Sequence, residues 1–155
     1  MSGNSKRIIS VIRMVLSMAA LTGCVTHAAD DSSVAQASAA LTATRWELVN
    51  WSGHEIPHGD NGEPVILTFQ GGEQASVSGR AWCNRFSAPY VLRDNERLTI
   101  GHAAATRMAC VGQAMEFESA FLDKLQALER FRIRGDTLEL LAVDGEVMRL
   151  QARSK

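Results

Sequence analysis

Met115–Ala152 reads MEFESAFLDKLQALERFRIRGDTLELLAVDGEVMRLQA. Apolar side chains fall at Met115, Phe121, Leu122, Leu125 and Leu128, with Glu116, Glu118, Asp123, Lys124 and Glu129 between them. A spacing of about 3.6 residues predicts one amphipathic α-helix. The texture then changes. Phe131 and Ile133 alternate with arginines, Gly135-Asp136 makes a turn, and Thr137–Val143 is strand-like. Asp144-Gly145 is a strong two-residue hairpin signal, and Glu146–Ala152 is the returning strand. One helix followed by hairpins sets the class: α+β, with an antiparallel, partly barrel-like sheet packed with one main helix.

Upstream the same strand texture recurs. Arg45–Trp51 is strand-like through Trp46 and Leu48, and Ser52–Glu63 is a loop rich in turn formers. Pro64–Gln70 is rich in β-formers, and Gly71-Gly72 turns it into Gln74–Gly79 as a hairpin partner. Arg97–His102 is a short strand, with Ala104–Cys110 as a further candidate. A chain of 155 residues fits a single domain, and no internal repeat is visible.

The beginning of the chain is different. Met1–Arg13 is polar and basic, Met14–Leu21 is apolar apart from Ser17, and Leu21-Thr22-Gly23-Cys24 follows. That pattern is the one expected of a signal peptide, and its last four residues look like a lipobox, so residues 1–23 are expected to be removed and Cys24 to carry the lipid. Each buried methylene of an acyl chain contributes about 0.8 kcal/mol to anchoring. Ile8–Leu21 is too short, and too interrupted by Arg13, for a span of roughly 20 apolar residues. Val25, rather than an acid, follows the cysteine and favours the outer membrane, facing the periplasm. Residues 24–43 contain Ala, Ser, Thr and Asp and no aromatic residue, and are expected to be a flexible tether. The alternative, a helix over Val34–Leu41, would have little to pack against.

Charge narrows the partners. The full chain has a net charge of −1, from 16 cations and 17 acids. Lys6, Arg7 and Arg13 precede Cys24 and no acid does, so the chain from Cys24 onward has 13 cations against 17 acids, a net of −4. Nucleic acid is not expected as a partner, because phosphate neutralisation needs a basic surface. The expected contacts are the membrane, through the lipid on Cys24, and an unknown envelope protein or small apolar ligand.

Several motifs together resemble a family. Val77–Tyr90 (VSGRAWCNRFSAPY) resembles the glycine–cysteine–asparagine signature of META domains, the HslJ-like heat-shock lipoproteins. Thr106-Arg107-Met108-Ala109-Cys110 matches that family's TRMAC run. Glu118, Phe121, Leu122 and Leu125 match its helix, and Trp46 with Leu48 its opening. The resemblance covers the domain over residues 44–152. It marks Gly79, Asn84, Tyr90, Thr106, Arg107, Met108 and Glu118 as motif residues with structural or binding roles. It also implies a non-enzymatic envelope protein tied to stress or antibiotic tolerance. A second implication is a fold similar to secretin pilotins, which would hold a partner segment or a lipid in a hydrophobic cleft. Trp82 stands where the family usually has glycine, and Ala88 where it has a second one. If that first glycine takes a positive φ, Trp82 is strained there.

Cys83 and Cys110 match two family positions and are expected to join in an oxidising compartment, the other reading being two free buried thiols. Closing a loop of that length stabilises by about 3–4 kcal/mol in the chain-entropy model. His54 and His58 are four apart, but Gly53 and Pro57 argue against the helix that a metal pair needs, so both are expected to be solvated loop side chains. Asp60-Asn61-Gly62-Glu63 lacks the ligand spacing of a calcium loop. No metal, cofactor or catalytic residue is expected. Trp51, Trp82 and Tyr90 are expected mainly in the core.

Overall fold

The computed structural model describes residues 26–56, 63–94, 96–110 and 113–153. In chain order the elements are α1 (Thr26–Thr42), β1 (Arg45–Trp51), β2 (Ile66–Gln70), β3 (Ser76–Ala81), β4 (Asn84–Arg93) and β5 (Arg97–Ile100), then β6 (Ala104–Ala105), α2 (Ala114–Gln126), β7 (Leu128–Arg134), β8 (Thr137–Ala142) and β9 (Val147–Arg153). The signal segment and Cys24 lie outside the described residues, as do His58 and Asp60-Asn61-Gly62.

The strands run in the order β3-β2-β1-β9-β8-β7-β5-β4-β6, all pairs antiparallel. A further pairing of β3 with β4 closes eight of them into a barrel and leaves β6 as an appendage on β4. Closure removes the free edges that an open sheet would leave. One seam is thin: β5 and β7 share only the pair Arg97↔Arg130, supported by Phe131 N–H donating to the Glu96 carbonyl at 2.8 Å. The hairpins after β7 and β8 turn where expected, with Gly135 at φ 57 and Gly145 at φ 85, a region that glycine enters without a Cβ penalty.

Alternation fills the interior. On β4, Asn84, Phe86, Ala88 and Tyr90 point inward and Arg85, Ser87, Pro89 and Val91 outward. On β8, Leu138, Leu140 and Ala142 are buried. Trp46, Trp51, Phe69, Phe121, Phe131 and Met148 are among the large side chains with almost no exposed surface. Ala88, the second family glycine, is buried opposite Val77, so its methyl group is part of the core.

Several expectations are corrected. β4 is the longest strand and was not anticipated outside the motif, because Pro89 and the short polar residues mask its alternation. Ala104–Cys110 is a strand only over Ala104–Ala105. The amphipathic helix ends at Gln126, and Leu128 already belongs to β7. Met115, expected on the apolar face, is 50% exposed, whereas Glu118, counted with the charges, is buried. The flexible tether fails where residues 31–42 are concerned: α1 runs through them, and its last turns dock on the barrel. Leu41 is fully buried, Ala37 nearly so, and the Trp46 indole donates to the Leu41 carbonyl at 3.0 Å. Two apolar residues one turn apart suffice once Trp46 and the β2 and β4 ends offer a surface.

α1 and α2 contact different parts of the barrel. α1 packs against β2 and β4, near Gly71 and the start of β1. On α2, Phe121 is the central side chain, meeting Trp51, Trp82 and Phe86 edge-on at centroid distances of 6.1, 5.7 and 6.0 Å. Replacing Leu41 with Ala is expected to destabilise the domain by about 2–4 kcal/mol, as for other fully buried leucines. Chemical denaturation of the mature chain would show this; an unchanged midpoint would mean that α1 does not dock.

Candidate functional site

The motif residues converge where α2 meets the start of β4. The side chain of Glu118 reaches back from α2 to Asn84, the first residue of β4. One carboxylate oxygen accepts the Asn84 backbone N–H and the other the Asn84 amide N–H, both at 2.7 Å. The Asn84 side-chain oxygen in turn accepts the Thr106 hydroxyl and the Met108 backbone N–H, both at 2.8 Å. Thr106 closes the circuit: its hydroxyl oxygen accepts the Arg85 N–H at 3.1 Å, and its own N–H donates to the Arg85 carbonyl at 2.9 Å. Asn84 and Glu118 are the buried polar residues of the described chain, 3% and 8% exposed. Burying a carboxylate is costly unless it is fully hydrogen-bonded, and here two N–H donors meet it.

Cys83 and Cys110 are joined by a disulfide with their Cα atoms 6.2 Å apart, which ties the same loop to the same turn. Cys83 follows a tight turn centred on Trp82, whose φ is 53°, and the Cys83 N–H folds back on the Ala81 carbonyl at 2.6 Å. A three-residue turn with a positive central φ is rare and strained. For a non-glycine residue the left-handed conformation costs about 1–2 kcal/mol. The Trp82 ring packs at 5.7 Å from both Phe117 and Phe121, and losing a buried tryptophan costs about 3–5 kcal/mol. Packing therefore outweighs the strain, which explains a tryptophan at a glycine position.

The other motif residues are placed as follows. A Cβ on Gly79 would lie 2.2 Å from the Ile66 carbonyl oxygen and 3.0 Å from the Phe86 ring, so only glycine fits. Tyr90 is buried edge-on to Phe69 at 5.4 Å, and burial raises its pKa. Its hydroxyl points toward Ser38 of α1 without a hydrogen bond of normal geometry. Arg107 and Met108 do not join the buried network through their side chains; Met108 is 56% exposed. With Met115, Leu122 and Ala103 they line a surface cleft of about 830 Å³ between the 104–109 segment and α2.

A second polar cluster, not anticipated from sequence, sits beyond the C-terminal end of α2. The Trp51 indole donates to Glu146 at 2.9 Å, Lys124 bridges Asp144 and Glu146, and His54 stacks on Trp51 at 4.0 Å. His54 is thus packed on an aromatic ring rather than simply solvated. The Trp51 N–H, followed by Lys124, holds the Glu146 carboxyl below its usual range, and the Asp144 carboxylate raises Lys124. Among the described residues no group of three or more His, Cys, Asp and Glu side chains could hold a metal ion. No helix of the described residues is long and apolar enough to cross a membrane.

Two measurements test these assignments. Glu118→Gln puts an amide N–H against one of the two Asn84 donors and is expected to lower stability by about 2 kcal/mol, the usual cost of a buried group left unpaired. Equal stability of wild type and variant would remove the network from the account. For Glu146, a lowered folded pKa means stability that is present above the ordinary glutamate value near 4.5 and lost as pH falls through the folded value. Between about pH 5 and pH 3 the wild type should lose stability more steeply than Glu146→Gln; parallel curves would contradict it.

The comparisons agree with this anatomy. A META domain family model matches residues 39–155. An NMR structure of a protein from Burkholderia xenovorans is 27% identical, covers 77% of this chain and 88% of that one, and superposes with a TM-score of 0.64. A second NMR structure is 25% identical, covers 74% and 92%, and has a TM-score of 0.57. The crystal structure of a DUF4847 family protein from Bacteroides vulgatus, 11% identical over 74% and 96%, shares the fold with a TM-score of 0.51. A comparison with curated proteins finds no match. With the motif residues gathered in one place and the family model spanning the whole barrel, the chain belongs to the META domain family.

Proposed function

We propose that this chain is an exported lipoprotein, anchored through a lipid on Cys24, whose META domain works at the outer membrane as a non-catalytic binding module under envelope stress. The observation that carries this reading is the closed circuit of Glu118, Asn84 and Thr106. These motif residues are engaged with one another, which supports a role in building the domain rather than in turning over a substrate. The Cys83–Cys110 bond supports export, since such bonds persist in oxidising compartments. The stress role comes from the family resemblance alone.

A second reading, a pilotin-like factor holding a partner segment or a lipid chain, is favoured by the cleft against α2. Two exposed methionines, Met108 and Met115, stand on its two sides with Leu122. Methionines adapt to irregular apolar partners. Because aromatic and leucine side chains occupy the barrel interior, such a ligand would sit in this surface cleft.

Mass spectrometry of the membrane-extracted protein, with crosslinking in intact cells, tests both readings. A chain beginning at a triply acylated Cys24 is expected; a free Cys24 thiol or a retained 1–23 segment refutes the anchor. Crosslinks from positions 108 and 115 to one envelope protein would support the second reading, and crosslinks confined to other faces would refute it.

A further inference from the structure

The outer face of β1–β4 has a charge arrangement that stability alone does not favour. Arg80 on β3 lies directly opposite Arg85 on β4, and Arg45 on β1 directly opposite Arg153 on β9. Like charges opposite each other across strands are destabilising. Two of the four are neutralised: Arg80 by Glu63 at 3.2 Å and Arg153 by Glu47 at 2.5 Å. Arg45 and Arg85 have no acidic partner among the described residues. From β1 to β4 there are three strand spacings of about 4.8 Å, which puts the two backbones roughly 14 Å apart.

In register with Arg45, and one row along from Arg85, runs a row of hydroxyls. Thr68, Ser78 and Ser87 are cross-strand partners on β2, β3 and β4, all on the outer face. None of the three hydroxyls has a hydrogen-bond partner among the described residues. Thr68 and Ser78 line a cleft of about 570 Å³ together with Arg45, Arg80, Arg85 and Glu63. Pro64 and Ile66 add apolar surface to it. Arg80 and Glu63 also line the cleft but neutralise each other, so the uncompensated charge there is that of Arg45 and Arg85, on a chain that is acidic overall from Cys24 onward.

We propose that this face is a binding site for an acidic glycan, a short saccharide segment carrying carboxylate groups. Each part of the face has a counterpart in such a ligand. A guanidinium fork takes a carboxylate through two parallel hydrogen bonds. The row of hydroxyls beside the forks pairs with sugar hydroxyls, which both donate and accept. The apolar surface of Pro64 and Ile66 meets the C–H face of a sugar ring. The separation of Arg45 from Arg85 selects a chain of units over a single small anion. The inference is independent of the lipid anchor and of the cleft against α2, because none of its residues belongs to either.

The test is a titration of the mature protein, extracted in neutral detergent, with trigalacturonate as the probe. Maltotriose serves as the neutral control, and inorganic phosphate as the compact-anion control at matched ionic strength. Saturable binding of trigalacturonate is expected, with no binding of maltotriose. Arg45→Gln and Arg85→Gln should each weaken it about tenfold, the effect of losing roughly 1.4 kcal/mol from a charge-assisted pair. Thr68→Val and Ser78→Ala should weaken it by smaller factors. Both arginine side chains are exposed and without an acidic partner among the described residues, and each faces a like charge, so their variants should melt at or slightly above the wild type, which separates lost binding from lost fold. Three results would each overturn the proposal: no binding, phosphate binding as tightly as the trisaccharide, or affinity indifferent to both arginine substitutions.

Discussion

The contact between Glu118 and Asn84 is the constraint on which the rest of the α2 region depends. A barrel closed by strand pairing alone leaves its thin seam between β5 and β7, joined by one residue pair. α2 lies between β6 and β7 in sequence and must be held against the barrel before Phe121 can pack against Trp51, Trp82 and Phe86. Hydrophobic packing is non-directional and would tolerate a rotated or shifted helix. The carboxylate removes that freedom, because it must meet two N–H groups of one residue at the same time. Asn84 then passes the constraint to the 106–108 loop through its side-chain oxygen.

The disulfide and the strained turn act on the same few residues. Cys83 precedes Asn84 and follows Trp82, so the covalent tie, the hydrogen-bond node and the positive-φ turn occupy three consecutive positions. The native geometry of each is compatible with the other two. The disulfide limits how far the turn and loop can separate, the network fixes their relative orientation, and buried aromatic surface offsets the backbone strain at Trp82. This concentration explains why the motif is short and contiguous on the β3–β4 hairpin yet has distant partners on the loop and on α2.

How much of this was legible in the sequence depends on the kind of interaction. The α2 periodicity, the β7–β9 hairpins and the Asp144-Gly145 turn are local signals, and they produced the α+β class and the barrel-like sheet. The docking of α1 is not legible locally, because it depends on Trp46 and on strand ends that are distant in sequence, and an Ala- and Ser-rich segment carries no strong stripe of its own. Glu118 was read as one of the solvent-facing charges of an amphipathic helix, since composition cannot distinguish a buried, doubly hydrogen-bonded carboxylate from an exposed one. The resemblance marked Glu118 and Asn84 as motif residues but did not say that they touch. The cluster of Trp51, Lys124, Asp144 and Glu146 left no trace at all, because its members come from three elements that meet only in the folded barrel.

The same reasoning separates the two kinds of polar group in this domain. Asn84 and Glu118 are buried and fully engaged with each other and with the exposed Thr106, which is the condition under which burial is tolerated. Arg45, Arg85, Thr68, Ser78 and Ser87 are polar and lack protein partners among the described residues, while sharing one face with two like-charged cross-strand pairs. Folding does not require that second arrangement: neutral residues on the outer strands would keep the alternation and avoid the repulsion. The motif residues Gly79, Asn84, Thr106 and Glu118 therefore account for how the β3–β4 hairpin, the 106–108 segment and α2 hold together, and the groups left with unmet hydrogen-bonding capacity are where recognition of another molecule can take place.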